Sequence, residues 1–225
     1  MPVPASAPGS WRHDVSLITA SNKLVGNGLT PVEFLAEDRS SIYSYDDVTR
    51  NEGTALNWNG RFDLDPRTAL RLNAHVRTLR TDMRNADVNE VEDPRFGVES
   101  FEDDQDPSGA GGAVQNRARL EQDKLGLTGV WNREWSEQHA TSIGAMFDTS
   151  RSKYWRTYEL GSFTESRGFG AAGNDQTRIV DIKGRTHNSS LFVEQSWRPA
   201  PQWRVTGSLR YNIAEVKTDD RLDRR

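Results

Sequence analysis

The segment 68–82, TALRLNAHVRTLRTD, places Leu70, Leu72, Ala74 and Val76 in one phase of an alternation and Arg71, Asn73, His75 and Arg77 in the other. A period of two puts the first set on one face of a β-strand and the second on the opposite face. A soluble sheet would hide the apolar face in a core, whereas a membrane barrel would turn it to lipid. The rest of the chain bears on that choice.

The preceding residues are built alike. Leu56, Trp58, Gly60, Phe62 and Leu64 share one phase, Asn57, Asn59 and Arg61 stand in the other, and Asp65-Pro66-Arg67-Thr68 forms a turn before the next run. Together they predict a hairpin. A second hairpin is predicted from Leu125, Leu127, Gly129, Trp131 and Trp135, a turn at Glu137–Ala140, and Ile143, Ala145 and Phe147 beyond it. A third joins Leu191, Val193 and Trp197 to Trp203, Val205, Gly207, Leu209 and Tyr211 through Pro199-Ala200-Pro201-Gln202. Its opposite phase, Arg204, Thr206, Ser208, Arg210 and Asn212, is polar throughout. Trp11 to Ala20 reads as a further strand whose partner is expected upstream.

The pattern predicts about seven strands of roughly ten to thirteen residues, enough to cross a bilayer at a tilt. Between the hairpins, residues 21–51, 82–122 and 152–187 leave connections of about thirty to forty residues, far beyond the usual two to six. Short turns and long loops thus alternate, so a zigzag antiparallel sheet gathers the turns at one end and the loops at the other. Outer-membrane barrels have this asymmetry, with short periplasmic turns and long external loops.

Composition points the same way. Of 225 residues only 34% are apolar and 28% are charged, and the mean hydropathy is -0.79, yet there are seven Trp, eight Phe and five Tyr. A barrel with a polar interior and polar loops reconciles the two. Trp135, Trp197 and Trp203, with Phe62, stand beside the predicted turns. Amphipathic rings there suit an interfacial girdle, the alternative being that they cap the ends of a soluble core. Arg133 falls in the apolar phase between Trp131 and Trp135, where its stem would have to snorkel at an interface.

Other classes are disfavoured. No apolar run reaches the roughly 18 residues of a membrane-spanning helix, and MPVPASAPGS has neither the basic nor the apolar region of a signal peptide. There is no cysteine for disulfides or thiolate chemistry, and a net charge of -4 gives no reason to expect nucleic acid as a partner. Gly168, Gly170 and Gly173 match a dinucleotide-fingerprint spacing without the strand and helix that would flank it. Asp104, Asp106, Ser108 and Gly109 resemble the start of a calcium loop, but its twelfth position is Gln115 rather than Glu. The 82–122 segment holds eleven acidic against four basic residues, the mark of a solvated loop or one that meets cations. His13, His75, His139 and His187 are scattered, and neither a nucleophile elbow nor a paired-carboxylate motif is evident, so no enzyme and no cofactor is expected.

The segment LVGNGLTPVEFLAEDRSSIYSYDDVTRN (24–51), with Gly26-Asn27-Gly28, Pro31, Asp38-Arg39, an aromatic pair, Asp47 and Thr49-Arg50-Asn51, continued through the 54–82 hairpin, resembles the barrel of TonB-dependent outer-membrane receptors. The third hairpin, with its Arg210-Tyr211-Asn212 ending, is similar to the family's later strands. The resemblance extends over most of residues 11–216. It implies energy-coupled import of a scarce solute such as a ferric siderophore through a twenty-two-stranded barrel occluded by a plug. Residues 1–225 are then expected to be a partial, internal part of the barrel domain in the cell outer membrane. The plug, the remaining strands and the TonB-contacting N-terminal region are expected to be absent, leaving outer-membrane lipid and the solute as direct partners.

On that reading Asn57, Asn59, Arg61, Arg71, Asn73, His75, Arg77, Arg204 and Arg210 face a water-filled lumen. Leu56, Trp58, Leu70, Leu72, Val76, Leu127, Trp131, Val205 and Leu209 face lipid. A soluble all-β binding module and a passive porin-like channel remain the competing readings.

Overall fold

The computed structural model describes residues 9–26, 30, 32–89, 112–173 and 176–222. Its elements are β1 (Ser10–Val25), α1 (Val32–Glu37), β2 (Val48–Asp65), β3 (Thr68–Val88), β4 (Ala113–Glu134), β5 (His139–Phe163), β6 (Phe169–Ala171), β7 (Thr177–Ala200) and β8 (Trp203–Asp220). All strands belong to one antiparallel sheet in the order β1-β2-β3-β4-β5-β7-β8, with β6 pairing β5. β1 and β8 are therefore its two edges. The three short turns follow β2, β4 and β7 and lie at one end, as their alternation in sequence requires.

Three expectations change. The strand at Trp11 finds its partner downstream, pairing with β2 over its whole length from Ser10↔Asp63 to Val25↔Val48. The seven long strands run 16 to 25 residues rather than ten to thirteen. The long connections shorten accordingly, to 26–47, 89–112 and 164–176, the last holding β6 and the first holding α1. The reason is physical: beyond the alternating stretch hydropathy no longer separates the faces, since the charged pairs Arg80↔Glu121 and Asp82↔Arg119 stand in the formerly apolar phase and Thr81↔Leu120 in the other. Backbone ladders satisfy their N–H and C=O groups whatever the side chains are, so pairing continues where hydrophobic periodicity stops.

The glycine motif at 168–173 forms β6 and its flanks, with no helix opening on it. Residues 104, 106, 108 and 109 of the calcium-like segment lie outside the described residues, while Gln115 is part of β4.

The 38–47 connection is tied down residue by residue. Ser40 N–H and Oγ donate to Asp38 Oδ1 at 2.9 and 2.7 Å, closing an Asx turn that holds the Asp38 carboxyl below its ordinary range. Gly26 adopts φ +68° and donates to the Asp47 carbonyl at 2.8 Å, and a Cβ there would strike the Ile42 side chain. Arg167, at φ 59°, donates to the Ile42 carbonyl at 2.7 Å and lies over the rings of Phe34 and Tyr45. Phe169 N–H donates to Asp46 Oδ2 at 2.6 Å, while Arg84 pairs with the other oxygen at 2.9 Å. The connection from β1 to β2 is thereby fastened to the β5–β6 hairpin.

Asp47 is buried and accepts the Ala86 N–H at 3.0 Å. Burial raises its carboxyl above the ordinary value, against the opposing effect of that hydrogen bond and with help from Asp87 and Asp46. A group raised on folding stabilises below its unfolded pKa, and that contribution is lost as pH climbs through the folded value. Asp47→Asn keeps an acceptor for Ala86 and is expected to remove this pH dependence. Asp47→Ala strands a buried donor, at a cost of about 1–3 kcal/mol. Limited proteolysis of the 38–47 connection across pH 4–8 distinguishes the two: cleavage of the native chain rises with pH, that of the Asn variant stays flat, and that of the Ala variant is fast throughout.

Candidate functional site

The register converts the sequence alternation into two continuous faces. Trp11, Phe62, Leu70, Trp131, Ile143, Val193 and Leu209 are successive partners across all seven long strands, so all seven side chains share one face. Two rows parallel to it run Val15, Trp58, Ala74, Leu127, Phe147, Ser189, Ile213 and His13, Gly60, Leu72, Gly129, Ala145, Leu191, Tyr211. Leu56 and Val76 extend the band toward the long connections, and Val205 extends it toward the short turns.

This band is not a core. Among the described residues the buried apolar ones are Ala69, Ala86, Ala113, Ala118 and Leu160, none of them in it, while Leu209 is 73%, Val205 52% and Ile143 50% exposed. Six strand spacings of ~4.8 Å make the band ~29 Å wide. A contiguous exposed apolar patch marks a surface that meets a partner or a membrane.

Aromatic rings gather where the band meets the short turns. Trp11 stacks on Phe62 at 4.7 Å and on His13 at 5.5 Å, and Trp58 Nε1 donates to His13 Nδ1 at 3.3 Å. His13, taken in sequence as one of four scattered histidines, sits in the apolar phase and supplies the acceptor that a Trp N–H needs; the phase was its signal. Arg133 reaches the turn rather than lipid. It donates to Asp65 Oδ2 at 2.8 Å and to Thr68 Oγ1, and lies over the Trp135 ring.

The opposite phase holds all nine polar candidates. Asn73 Nδ2 donates to Asn57 Oδ1 at 2.9 Å and to Asn59 Oδ1 at 2.8 Å, and Arg77 donates to Gln122 Oε1 at 3.1 Å. Arg61 and Arg12 both pair with Asp63. Arg71 is Arg61's register partner, and the same row ends at Arg210, which donates to Ser190 Oγ and Asn212 Oδ1. Arg204 lies at the turn end of the same face, in a cleft with Glu134, Glu194 and Arg198.

Sequence reading missed two features of this face. His75 Nε2 approaches Asp148 Oδ1 at 3.5 Å across β4, and Lys124 meets the same oxygen at 3.2 Å. Phe192 lies on this face despite its apolar neighbours, with Arg210 over its ring at 5.8 Å. Both are marked by glycines in the polar phase: a Cβ at Gly126 would overlap the His75 ring, and one at Gly144 would overlap the Phe192 ring. Among the described residues no three His, Asp or Glu converge on a metal-sized site. The face is a lattice of donors and acceptors, suited to water and polar solutes.

Gly126→Ala is expected to push the His75 ring off Asp148. A double-mutant cycle between His75→Ala and Asp148→Ala, read from urea unfolding, should show coupling in the native background and none in the Gly126→Ala background.

The whole of residues 7–225 matches the family model described as TonB dependent receptor-like, beta-barrel. No curated protein matches the chain. Among solved structures, the unliganded ferric citrate transporter FecA is similar over 96% of this chain and 31% of its own, with TM-score 0.59 and 10% identity. The ferric yersiniabactin uptake receptor FyuA from Yersinia pestis aligns over 93% and 28%, with TM-score 0.57 and 13% identity. The ferric-catecholate import receptor Fiu from E. coli K12 aligns over 93% and 35%, with TM-score 0.57 and 10% identity. The chain thus spans about a third of the length of these structures.

Proposed function

Because the chain belongs to the TonB-dependent receptor-like β-barrel family, we propose that it forms part of the barrel wall of a receptor in the cell outer membrane, importing a scarce solute such as a ferric chelate. The observation that carries this reading is the unbroken row from Trp11 to Leu209, whose apolar side chains align over seven strands and remain uncovered. Lipid is the solvent that such a face suits. The lattice around Asn73, His75 and Arg71 then lines the aqueous lumen.

Two further features support the reading. The aromatic cluster at the turn end matches an interfacial girdle, with the turns toward the periplasm and the 26–47, 89–112 and 164–176 connections outside. The unpaired edges of β1 and β8 carry ladder groups that only further strands can satisfy within a bilayer, so the wall closes with strands beyond these seven. The three similar structures are a ferric citrate transporter, a ferric yersiniabactin uptake receptor and a ferric-catecholate import receptor, which makes an iron chelate the solute class to test first. Coupling to TonB is assigned to a region outside these residues.

The face assignment is tested by scanning Arg through positions 70, 72, 74 and 76 of the full-length receptor and measuring refolding into lipid vesicles. Lipid contact predicts a loss of roughly 2–4 kcal/mol at the positions nearest the bilayer midplane and a smaller loss toward the ends. A uniform loss, with the native chain refolding in plain buffer, would instead support a soluble module.

A further inference from the structure

On the face opposite the apolar band, β3 and β4 set two cations against each other. Arg77 faces Lys124 in register and has Ala55 on its other side. Its remaining neighbours on this face, along the strand and on the diagonals, are His75, Leu79, Gly53, Asn57, Gln122 and Gly126. None is acidic, and among the described residues Arg77 makes no ion pair, donating instead to the neutral Gln122 Oε1 at 3.1 Å. Like charges directly opposite one another on a sheet are destabilising.

Among the described residues, the carboxylate that reaches this cluster is Asp148 of β5. Its Oδ1 is shut off from solvent, and no donor lines up on it as a hydrogen bond. Two side chains compete for that oxygen: Lys124 Nζ stands 3.2 Å away and His75 Nε2 3.5 Å away. The histidine reaches it over Gly126, where a Cβ would overlap both the ring and the carboxylate. The other ring nitrogen, Nδ1, lies 3.4 Å from Asn73 Oδ1, an amide whose Nδ2 is already turned toward Asn57, Asn59 and the Trp58 carbonyl. Both ring nitrogens therefore meet acceptors, and only a ring carrying two protons donates to both. Besides Arg77 on its own strand, the charged groups facing His75 are Lys124 and Asp148, because β2 presents the neutral Ala55, Asn57 and Asn59.

These contacts amount to an exchange. With a neutral ring, Lys124 is held by Asp148 and Arg77 alone presents its charge to solvent. With a protonated ring, His75 donates to Asp148, Lys124 is released toward Arg77, and the cluster gains one positive charge. A guanidinium and an ammonium side by side suit a carboxylate or another oxyanion. Ser150 Oγ and Thr186 Oγ1, 2.6 Å apart in the register row of Lys124, add hydroxyls beside it. Resting on the assignment of this face to the lumen, we propose that Arg77, Lys124 and His75 form a binding site for an anionic group of the imported solute, opened when His75 takes up a proton and takes Asp148 over from Lys124.

The test uses the full-length receptor in a non-ionic detergent and a naphthalene trisulfonate as probe, whose charge is fixed between pH 5 and 8, where histidine changes its own. The native protein should bind the probe on the order of tenfold more tightly at pH 5 than at pH 8. His75→Gln should bind it with one weak affinity throughout, and Arg77→Gln should bind it at neither pH. Asp148→Asn, which frees Lys124 at every pH, should bind at pH 8 at least as tightly as the native protein does at pH 5. Reciprocally, saturating probe should move one histidine ring titration of the native protein, followed by NMR, to higher pH, a readout that stands even where a variant fails to fold. Absent or pH-independent binding, a pH dependence that survives His75→Gln, weakened binding in Asp148→Asn, or histidine titrations indifferent to the probe would each overturn the proposal. The lumen assignment is tested separately by Ala55→Cys, beside Arg77, which should react in vesicles with a charged, water-soluble thiol reagent. No reaction there would overturn that assignment and this inference with it.

Discussion

Antiparallel pairing has a side-chain period of two, so a slip of one residue in any ladder would carry a whole strand's apolar set to the wrong face. Everything else in this molecule depends on that register holding across six interfaces. It holds without interruption from β3 to β5, and its few irregularities, at Asp63/Asp65, Arg156/Thr157 and Trp197/Ala200, fall at strand ends or above the apolar rows. Seven apolar side chains therefore stand in one row with no second layer over them. A sheet of this kind gains little from burial against itself, and its stability is tied to the solvent that meets that row.

The two ends of the sheet are secured by different chemistry. At the turn end, Arg133 crosses to Asp65 and Thr68, so a cation in the apolar phase is consumed by the neighbouring turn instead of facing hydrocarbon. At the other end, Asp46 and Arg167 fasten the first long connection to the third, and Asp47 ties it to Ala86 of β3. A receptor wall needs both, because its strands carry no packed core to position the loops that would meet a solute.

The alternation around Leu70–Val76 made the strands, the hairpins and the two faces legible in sequence, because a period of two is a local property that neighbouring residues reveal among themselves. Strand ends were not legible. From Thr78 outward β3 offers Arg80 and Asp82 in one phase and Leu79 and Thr81 in the other, so hydropathy no longer distinguishes the faces while backbone pairing runs on to Val88. Contacts between distant segments were hidden for a different reason. His75 meets Asp148, and Arg167 meets Ile42, only because intervening strands bring them together, and a single sequence shows such pairs at most through a glycine left opposite a ring. The like-charge pair on β3 and β4 was equally invisible until register set Arg77 against Lys124.

Leu72 and Asn73 are adjacent on β3 yet belong to opposite faces, which makes them the sharpest probe of what each face touches. Nitroxide labels placed singly at 72 and 73 of the receptor in bilayers can be compared by their collision rates with oxygen, which concentrates in lipid, and with a water-soluble nickel chelate. Lipid contact predicts that the label at 72 relaxes with oxygen and the label at 73 with nickel. The alternation should persist to Val76 and Arg77 and fade beyond Thr78, where both phases are wet. Equal nickel access at 72 and 73, or the reverse assignment, would contradict a lipid-facing band and return the sheet to a soluble setting.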